Sequence, residues 1–205
     1  LFASSREGEE EVLLEAMVRA QFFKRAPKAV VWIVPRHPQR FDAVFDQMVA
    51  ASTRLGVARP VRRSAWSAAP GANTRSERVQ ENGLGQVRLV LGDSMGEMPA
   101  YYAAADLAML GGSWLPFGGQ NLIEACAYGC PVWMGPYTFN FTKAADDALA
   151  AGAAKRFDSL QTACDVFLGQ TFDVEQGKRS AFAYARKHRG ATLTTFEALN
   201  KALPG

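Results

Sequence analysis

Two glycine-containing segments and a polar helix start lie close together near the middle of the chain. Gly111-Gly112-Ser113 follows an apolar run, Gly118-Gly119 comes shortly after it, and Gln120-Asn121 begins a predicted helix that carries Glu124 one turn on. Glycines let the backbone approach a ligand closely, and the first amides of a helix are unpaired and attract anions. The pattern predicts a cradle for phosphate, with Asn121 and Glu124 together on one helix face beside it.

The same residues also have a purely structural interpretation. Asn121 and Glu124 have the spacing of a capping box, in which both side chains close off the start of a helix. Glycines, in turn, are common in ordinary turns. Spacing alone does not separate the two interpretations, and both can hold at once. A phosphate site therefore needs support from other parts of the chain.

Strand-like and helix-like segments alternate along most of the chain. This alternation predicts a parallel sheet with helices on both faces, an α/β Rossmann-like fold. Ligands of such sheets bind beyond the carboxyl ends of the strands. Short polar segments follow four of the predicted strands at that edge: Ser4-Ser5-Arg6, Arg36-His37, Asp93-Ser94-Met95 and Gly111-Gly112-Ser113. The convergence of four loops that are distant in the chain predicts one shared binding site.

The chain is interpreted as a single domain over residues 1–205. Strands are predicted near residues 1–3, 30–34, 57–61, 87–91, 107–110, 131–134 and 155–157, with helices between and after them. Residues 64–86 are rich in small and polar side chains and show no steady period, which predicts a long mobile loop. A last helix is predicted over 191–203, with an apolar face that needs a partner.

Composition excludes several classes of protein. A hydrophobic content of 48% with 21% charged residues is typical of a globular domain with a core. The net charge of +3 is too small to indicate nucleic-acid binding. Three cysteines without metal-ligand spacing favour a reduced compartment and no metal. No apolar run is long enough to span a bilayer. The chain begins at Leu1, within a predicted strand, so we expect it to be a piece of a longer protein.

Six segments together resemble the C-terminal half of the 3-deoxy-D-manno-octulosonic acid (Kdo) transferases. Each motif alone is weak, but together they are specific, and they run in the family's order from the start of the chain to Phe141. The segments are ASSREGEE (3–10), PRHPQR (35–40), GDSMGEM (92–98), GGS (111–113), GGQNLIE (118–124) and MGPYTFNF (134–141). Arg6 and Gln120 stand where the family frequently has histidine, which leaves details of donor contact open.

The resemblance implies one half of a GT-B glycosyltransferase, in which two Rossmann-like domains face each other across a cleft. It implies that this half binds the donor CMP-Kdo, and that Kdo passes with inversion to the lipid A precursor without a metal or other cofactor. The catalytic base would be a glutamate of the N-terminal half, so no catalytic residue is expected here. The implied location is the cytoplasmic face of the bacterial inner membrane, with the 191–203 helix packed on the N-terminal domain.

The resemblance also implies roles for individual residues. Arg36 would pair with the CMP phosphate, since a guanidinium fits phosphate oxygens, and His37 would line the site. Glu124 would accept hydrogen bonds from the ribose, and Asn121 would contact the phosphate or the sugar acid. Each of these has a structural alternative, such as a surface arginine or a helix cap. The complete predicted donor site is Ser5, Arg6, Arg36, His37, Ser94, Met95, Gly96, Gly111, Gly112, Ser113, Gly118, Gly119, Gln120, Asn121 and Glu124.

Two further interpretations concern the loops beside that site. Ser94, Met95 and Gly96 would bring backbone groups to the cytosine edge, unless they form only a helix cap. Arg6 would meet the Kdo carboxylate or pair with Glu9 or Glu10, which are themselves interpreted as acids that stabilise a helix start. Two other functions stay open: a GT-B domain for a UDP-sugar transferase or epimerase, and a nucleotide-binding module without catalysis.

Overall fold

Seven strands form one sheet in the computed structural model, which describes residues 1–66, 87–169 and 172–188. The strands are β1 (Phe2–Ser5), β2 (Val31–Pro35), β3 (Val61–Arg62), β4 (Leu89–Leu91), β5 (Ala108–Leu110), β6 (Val132–Met134) and β7 (Ala154–Arg156). They lie in the order β3-β4-β2-β1-β5-β6-β7, and every neighbouring pair is parallel. The predicted parallel α/β sheet is confirmed.

Eight α-helices connect and cover these strands within the described residues. Their apolar side chains recur at helical spacing, which is why the periodic segments of the sequence become helices that bury one face. In chain order they are α1 (Glu9–Arg19), α2 (Phe22–Arg25), α3 (Phe41–Leu55), α4 (Met98–Ala104), α5 (Ile123–Ala127), α6 (Thr142–Ala150), α7 (Leu160–Leu168) and α8 (Val174–Lys187).

The core lies on both faces of the sheet. Successive strand residues point to opposite faces, so Phe2 joins the cluster under α1, α2, α3 and α7, whereas Ala3 joins the cluster under α4, α5, α6 and α8. Trp133 and Met134 divide in the same way on β6. Each fully buried large side chain stabilises the fold by about 1.5–3 kcal/mol. The sheet edge that carries the loops therefore rests on two packed layers.

Two predicted elements differ from the structure. The third strand, predicted over 57–61, is β3 at Val61–Arg62. The helix predicted from Gln120 begins at Ile123, because the Asn121 side chain accepts the Ile123 amide at 3.0 Å and holds the chain in a turn. Of the predicted loop over 64–86, the first residues continue a 3₁₀ turn, Arg63–Ala65. Residues 67–86 and the helix predicted over 191–203 lie outside the described residues.

Helix length and hydropathy bear on membrane insertion. Among the helices in the described part of the chain, none combines the length and the apolar character that crossing a membrane requires.

The three cysteines should be chemically inert in the folded chain. All are buried, and burial raises the pKa of Cys126 and Cys164 to about 12 and that of Cys130 to about 11. Because the thiolate is the reactive form, we expect native thiols at pH 8 to react with an aromatic disulfide reagent at least roughly a hundredfold more slowly than in guanidinium chloride. The absorbance of the released thiolate measures both rates. Fast labelling of the native chain would contradict the burial of these side chains.

Candidate functional site

The strand order places a topological switch point between β1 and β5. From β1 the chain moves to one side of the sheet through β2, β3 and β4, and it then crosses to the other side to form β5. The loops after β1 and β5 therefore leave the same edge in opposite directions and open a crevice, where ligands of such sheets bind. The Gly111 amide donates to the Ala3 carbonyl at 2.7 Å. A Cβ on Gly111 would lie 2.5 Å from the Ser4 oxygen, so the two strand ends touch only because this residue is glycine.

The loop after β1 is held by a buried carboxylate of α1. Ser5 is buried, and its hydroxyl donates to Glu10 at 2.6 Å. Arg40 donates to both oxygens of Glu10 at 2.7 Å, and this hydrogen bonding raises the pKa of Arg40. Glu10 lies in the first turn of α1, as predicted, and it is completely buried. It joins the β1 loop to the segment that follows β2.

Arg36 lies on the segment that Arg40 anchors. Its amide donates to the Ser5 carbonyl at 2.9 Å, which fixes the backbone against β1. Its side chain is exposed and makes no hydrogen bond or ion pair with any described residue. His37 is exposed beside it. The arrangement presents an unpaired guanidinium at the sheet edge, which can bind an anion.

The Glu9 carboxylate binds backbone amides of the first glycine loop, which is the segment that begins at Gly111. This buried carboxylate accepts the amides of Gly112 at 2.7 Å, Trp114 at 3.0 Å and Leu115 at 3.3 Å, and the Arg6 amide at 2.8 Å. Burial raises the pKa of Glu9, and the four amide hydrogen bonds oppose that rise. Glu9 thus lies at the start of α1, as predicted, and also binds the loop that follows β5.

Arg6 pairs with neither of these carboxylates. Its guanidinium lies over the ring of Phe117, 4.8 Å from the centroid, in a cation–π contact. Phe117 belongs to the loop between the two glycine pairs. The contact keeps the Arg6 charge at the rim of the crevice.

The second glycine loop carries unpaired amides. The Gly119 amide donates to the Gly112 carbonyl at 2.7 Å, which closes the segment between the two glycine pairs into a loop. The backbone amides of Gln120, Asn121 and Leu122 donate to no group among the described residues. The Gln120 side chain donates to the Ser4 carbonyl, which ties this loop to β1. Gln120 is half-buried and Asn121 is exposed, so their amides can donate to an anion at this sheet edge, whereas Leu122 is buried.

The capping box forms only in part. Asn121 accepts the Ile123 amide, as described above, but Glu124 is exposed and its carboxylate accepts no hydrogen bond within the described residues. Burial raises the pKa of Tyr102, the charge of Glu124 adds to the rise, and the charge of Arg36 opposes it. Both charges therefore act on one phenol, which agrees with their lying on the same side of the molecule.

The loop after β4 lies farther from the others. Because β4 is two strands from β1, and neighbouring strands are about 4.8 Å apart, this loop starts roughly 10 Å from the crevice. The Ser94 hydroxyl donates to Glu97 and shares a hydrogen bond with the Tyr101 hydroxyl. Met95 is 69% exposed, and Gly96 is exposed beside it. This loop exposes backbone groups and the Met95 side chain to a ligand. The Ser94 hydroxyl is already hydrogen-bonded to Glu97 and Tyr101.

The structure thus brings most of the predicted site residues to one edge. The loops after β1, β2 and β5 are linked by hydrogen bonds. Ser5 and Ser113 are buried, and their hydroxyls are hydrogen-bonded within the protein, so they support the site rather than face a ligand. The Ser113 hydroxyl donates to the Leu110 carbonyl at 2.5 Å and accepts the Gly135 amide at 2.9 Å. Sequence reasoning missed the roles of Glu9, Glu10 and Arg40. Within the described residues no cluster of three histidine, cysteine or acidic side chains is placed to hold a metal ion.

Comparisons with known proteins agree with this architecture. No protein-family model matches the chain. It is 45% identical over 96% of its length to the 3-deoxy-D-manno-octulosonic acid transferase of Bordetella pertussis, and 28% identical over 98% to that of Haemophilus influenzae, yet it spans only 43% of either relative. Among solved structures it is similar to the C-terminal CMP-Kdo binding domain of WaaA from Acinetobacter baumannii, with a TM-score of 0.67 and 29% identity. That match covers 88% of this chain and 85% of the other.

Proposed function

This chain belongs to the family of 3-deoxy-D-manno-octulosonic acid (Kdo) transferases, and on that premise we propose that it is the donor-binding part of such an enzyme. In this proposal it holds CMP-Kdo while Kdo is transferred, with inversion, to the lipid A precursor. The likeness to a CMP-Kdo binding domain over most of both chains supports the choice of donor.

One observation carries the proposal: a guanidinium and two accessible amides, none of them bonded to any described residue, belong to loops that are both bonded to β1. Arg36 is anchored to Ser5, and the loop that carries the amides of Gln120 and Asn121 is anchored to Ser4. A phosphate between them would accept hydrogen bonds from both sides. As the bond from the sugar to the phosphate breaks, negative charge grows on the departing CMP, and these donors stabilise it.

The remaining residues receive their roles from this phosphate position. Glu124, exposed and uncommitted, accepts the ribose hydroxyls, and the Asn121 side-chain amide contacts the phosphate or the sugar acid. Arg6 at the rim meets the Kdo carboxylate. The exposed Met95 and Gly96 approach the cytosine, which lies toward β4. The residues that bind the donor are thus distributed along the sheet edge from β4 to β5.

The proposal places the other requirements of the reaction outside this chain. The catalytic base, the surface for the lipid A precursor and the attachment to the cytoplasmic face of the inner membrane belong to the rest of the protein. No nucleic acid takes part, and donor binding here uses Arg36 and backbone amides rather than a metal. The helix predicted over 191–203 packs on the other domain in this scheme.

Calorimetric titration of the chain with CMP and with UMP tests the donor. We expect CMP to bind and UMP to bind at least roughly tenfold more weakly. The variant Arg36→Met should weaken CMP binding by about 10–100-fold, because a hydrogen bond to a charged group contributes about 1.5–3 kcal/mol. Arg36 is exposed, so its loss should leave the fold intact.

Arg25→Met provides the matched control for this titration. Arg25 is also an exposed arginine, but it lies on α2 before the amino end of β2, at the opposite edge of the sheet. Its loss should leave CMP affinity unchanged. Tighter binding of UMP would favour a UDP-sugar enzyme instead. Equal affinity of the Arg36→Met variant for CMP would contradict the phosphate position.

A further inference from the structure

The first of the two glycine loops, which begins at Gly111, is already occupied by an internal anion. The amides after Gly111 point at the Glu9 carboxylate instead of into the crevice. One oxygen of Glu9 accepts the amides of Trp114 and Leu115, and the other accepts those of Gly112 and Arg6. Glu9 thus engages three of the four amides from Gly112 to Leu115, and the fourth belongs to Ser113, which is completely buried. A ligand phosphate must bind elsewhere on the edge.

Gly112 connects Glu9 to the second glycine loop, which is Gly118-Gly119 and the residues directly after it. Its amide donates to Glu9, and its carbonyl accepts the Gly119 amide at 2.7 Å. The residues directly after Gly119 carry the unpaired amides. One peptide segment therefore connects the buried carboxylate to the donors that remain free, and displacement of Gly112 would displace them.

We infer that Glu9 is a positioning residue, an internal anion that occupies the first glycine loop and so sets the amides of Gln120 and Asn121 to receive the ligand's phosphate. The identity of that ligand rests on the proposed function, but the occupancy of the first loop does not. Glu9 itself touches no ligand in this scheme. Its effect reaches the phosphate through Gly112 and Gly119.

Amide hydrogen exchange of the unaltered chain, followed by NMR, tests the inference without a mutation. The amides of Gly112, Trp114 and Leu115 should be protected without ligand and stay unchanged with CMP. Those of Gln120 and Asn121 should exchange fast alone and slow down when CMP is bound. Fast exchange of the first group without ligand, or CMP-induced protection there instead of at Gln120 and Asn121, would overturn the inference.

The variant Glu9→Gln tests the same inference by affinity. Glutamine has almost the same shape, but its side-chain nitrogen would face two amide donors where an acceptor is required. In the folded variant, we expect cytidine to bind within about twofold of the unaltered chain. The ratio of the cytidine Kd to the CMP Kd should fall by about tenfold, because only the phosphate contacts are displaced. A merely structural role would leave this ratio unchanged.

Glu11→Gln is the matched control, since Glu11 is an exposed acid of the same helix turn. For this variant, the ratio of the cytidine Kd to the CMP Kd should equal that of the unaltered chain. An unchanged ratio in folded Glu9→Gln overturns the inference; if that variant does not fold, the exchange measurement decides. Absence of CMP binding by the unaltered chain, with Gly112, Trp114 and Leu115 protected, contradicts the proposed function and leaves the occupancy of the first loop standing.

Discussion

Gly135→Ala should destabilise the chain by roughly 3 kcal/mol, because the new methyl group has no room beside the β5 loop. A Cβ at this position would lie 2.3 Å from the Ser113 carbonyl oxygen and 2.7 Å from the Trp114 Cα. These are backbone atoms, so no side-chain rotation relieves the clash. The Ser113 carbonyl also accepts the Tyr137 amide at 3.0 Å, so a shift of this peptide would break a second contact between the loops after β5 and β6.

Urea unfolding followed by circular dichroism measures this loss. Gly56→Ala is the control, since Gly56 has a left-handed φ of 68° but nothing within 4 Å of an added Cβ. It should cost about 1 kcal/mol, from backbone conformation alone. Equal losses in the two variants would show that the loops after β5 and β6 separate easily. The close approach would then contribute nothing specific to the candidate site.

The sheet itself was predictable because its signals are local. Short apolar runs such as Ala108–Leu110 and Val132–Met134 can be recognised within a few residues, and a parallel sheet follows from their alternation with helices. The same topology rule places the polar segments after β1, β2 and β5 at one edge. For this reason the position of the candidate site was predictable to the level of loops.

The partners within the site were not predictable, because they are distant in sequence. Glu9 and Gly112 are 103 residues apart, and Glu10 and Arg40 are 30 apart. No periodicity links such residues, so the sequence placed these acids at a helix start without indicating the groups that they bind. Arg36 and Arg40 lie in the same proline-flanked segment, and only the structure shows that Arg40 is bonded to Glu10 while Arg36 has no partner in the described part of the chain.

A second mismatch concerns the glycine loops. Both loops match the pattern of a phosphate cradle, and spacing alone treats them as equivalent. The structure separates them, since an internal carboxylate binds the first loop while the amides of Gln120 and Asn121 donate to no described residue. A long-range competitor for the same donors, Glu9, thus decides which loop can bind a ligand.

Arg40→Met should cost about 3–5 kcal/mol, because it leaves the Glu10 carboxylate buried without its counter-charge. Glu10 has a side-chain exposure of 0%, whereas Arg40 has 20%, so the acid cannot reach water when the arginine is lost. The Ser5 hydroxyl alone cannot compensate a buried charge. Urea titration measures the free energy of unfolding. Arg40 also holds the segment that carries Arg36, so CMP affinity should fall as well.

The double variant Glu10→Gln/Arg40→Met separates charge burial from lost packing. Glutamine keeps an acceptor for Ser5 and carries no charge, so the double variant should recover most of the stability that Arg40→Met loses. Arg54→Met is the control, because the ion pair of Arg54 with Glu15 is exposed and its loss should leave the unfolding midpoint unchanged. A double variant as unstable as Arg40→Met would show that the arginine acts through its packing, and that Glu10 tolerates burial alone.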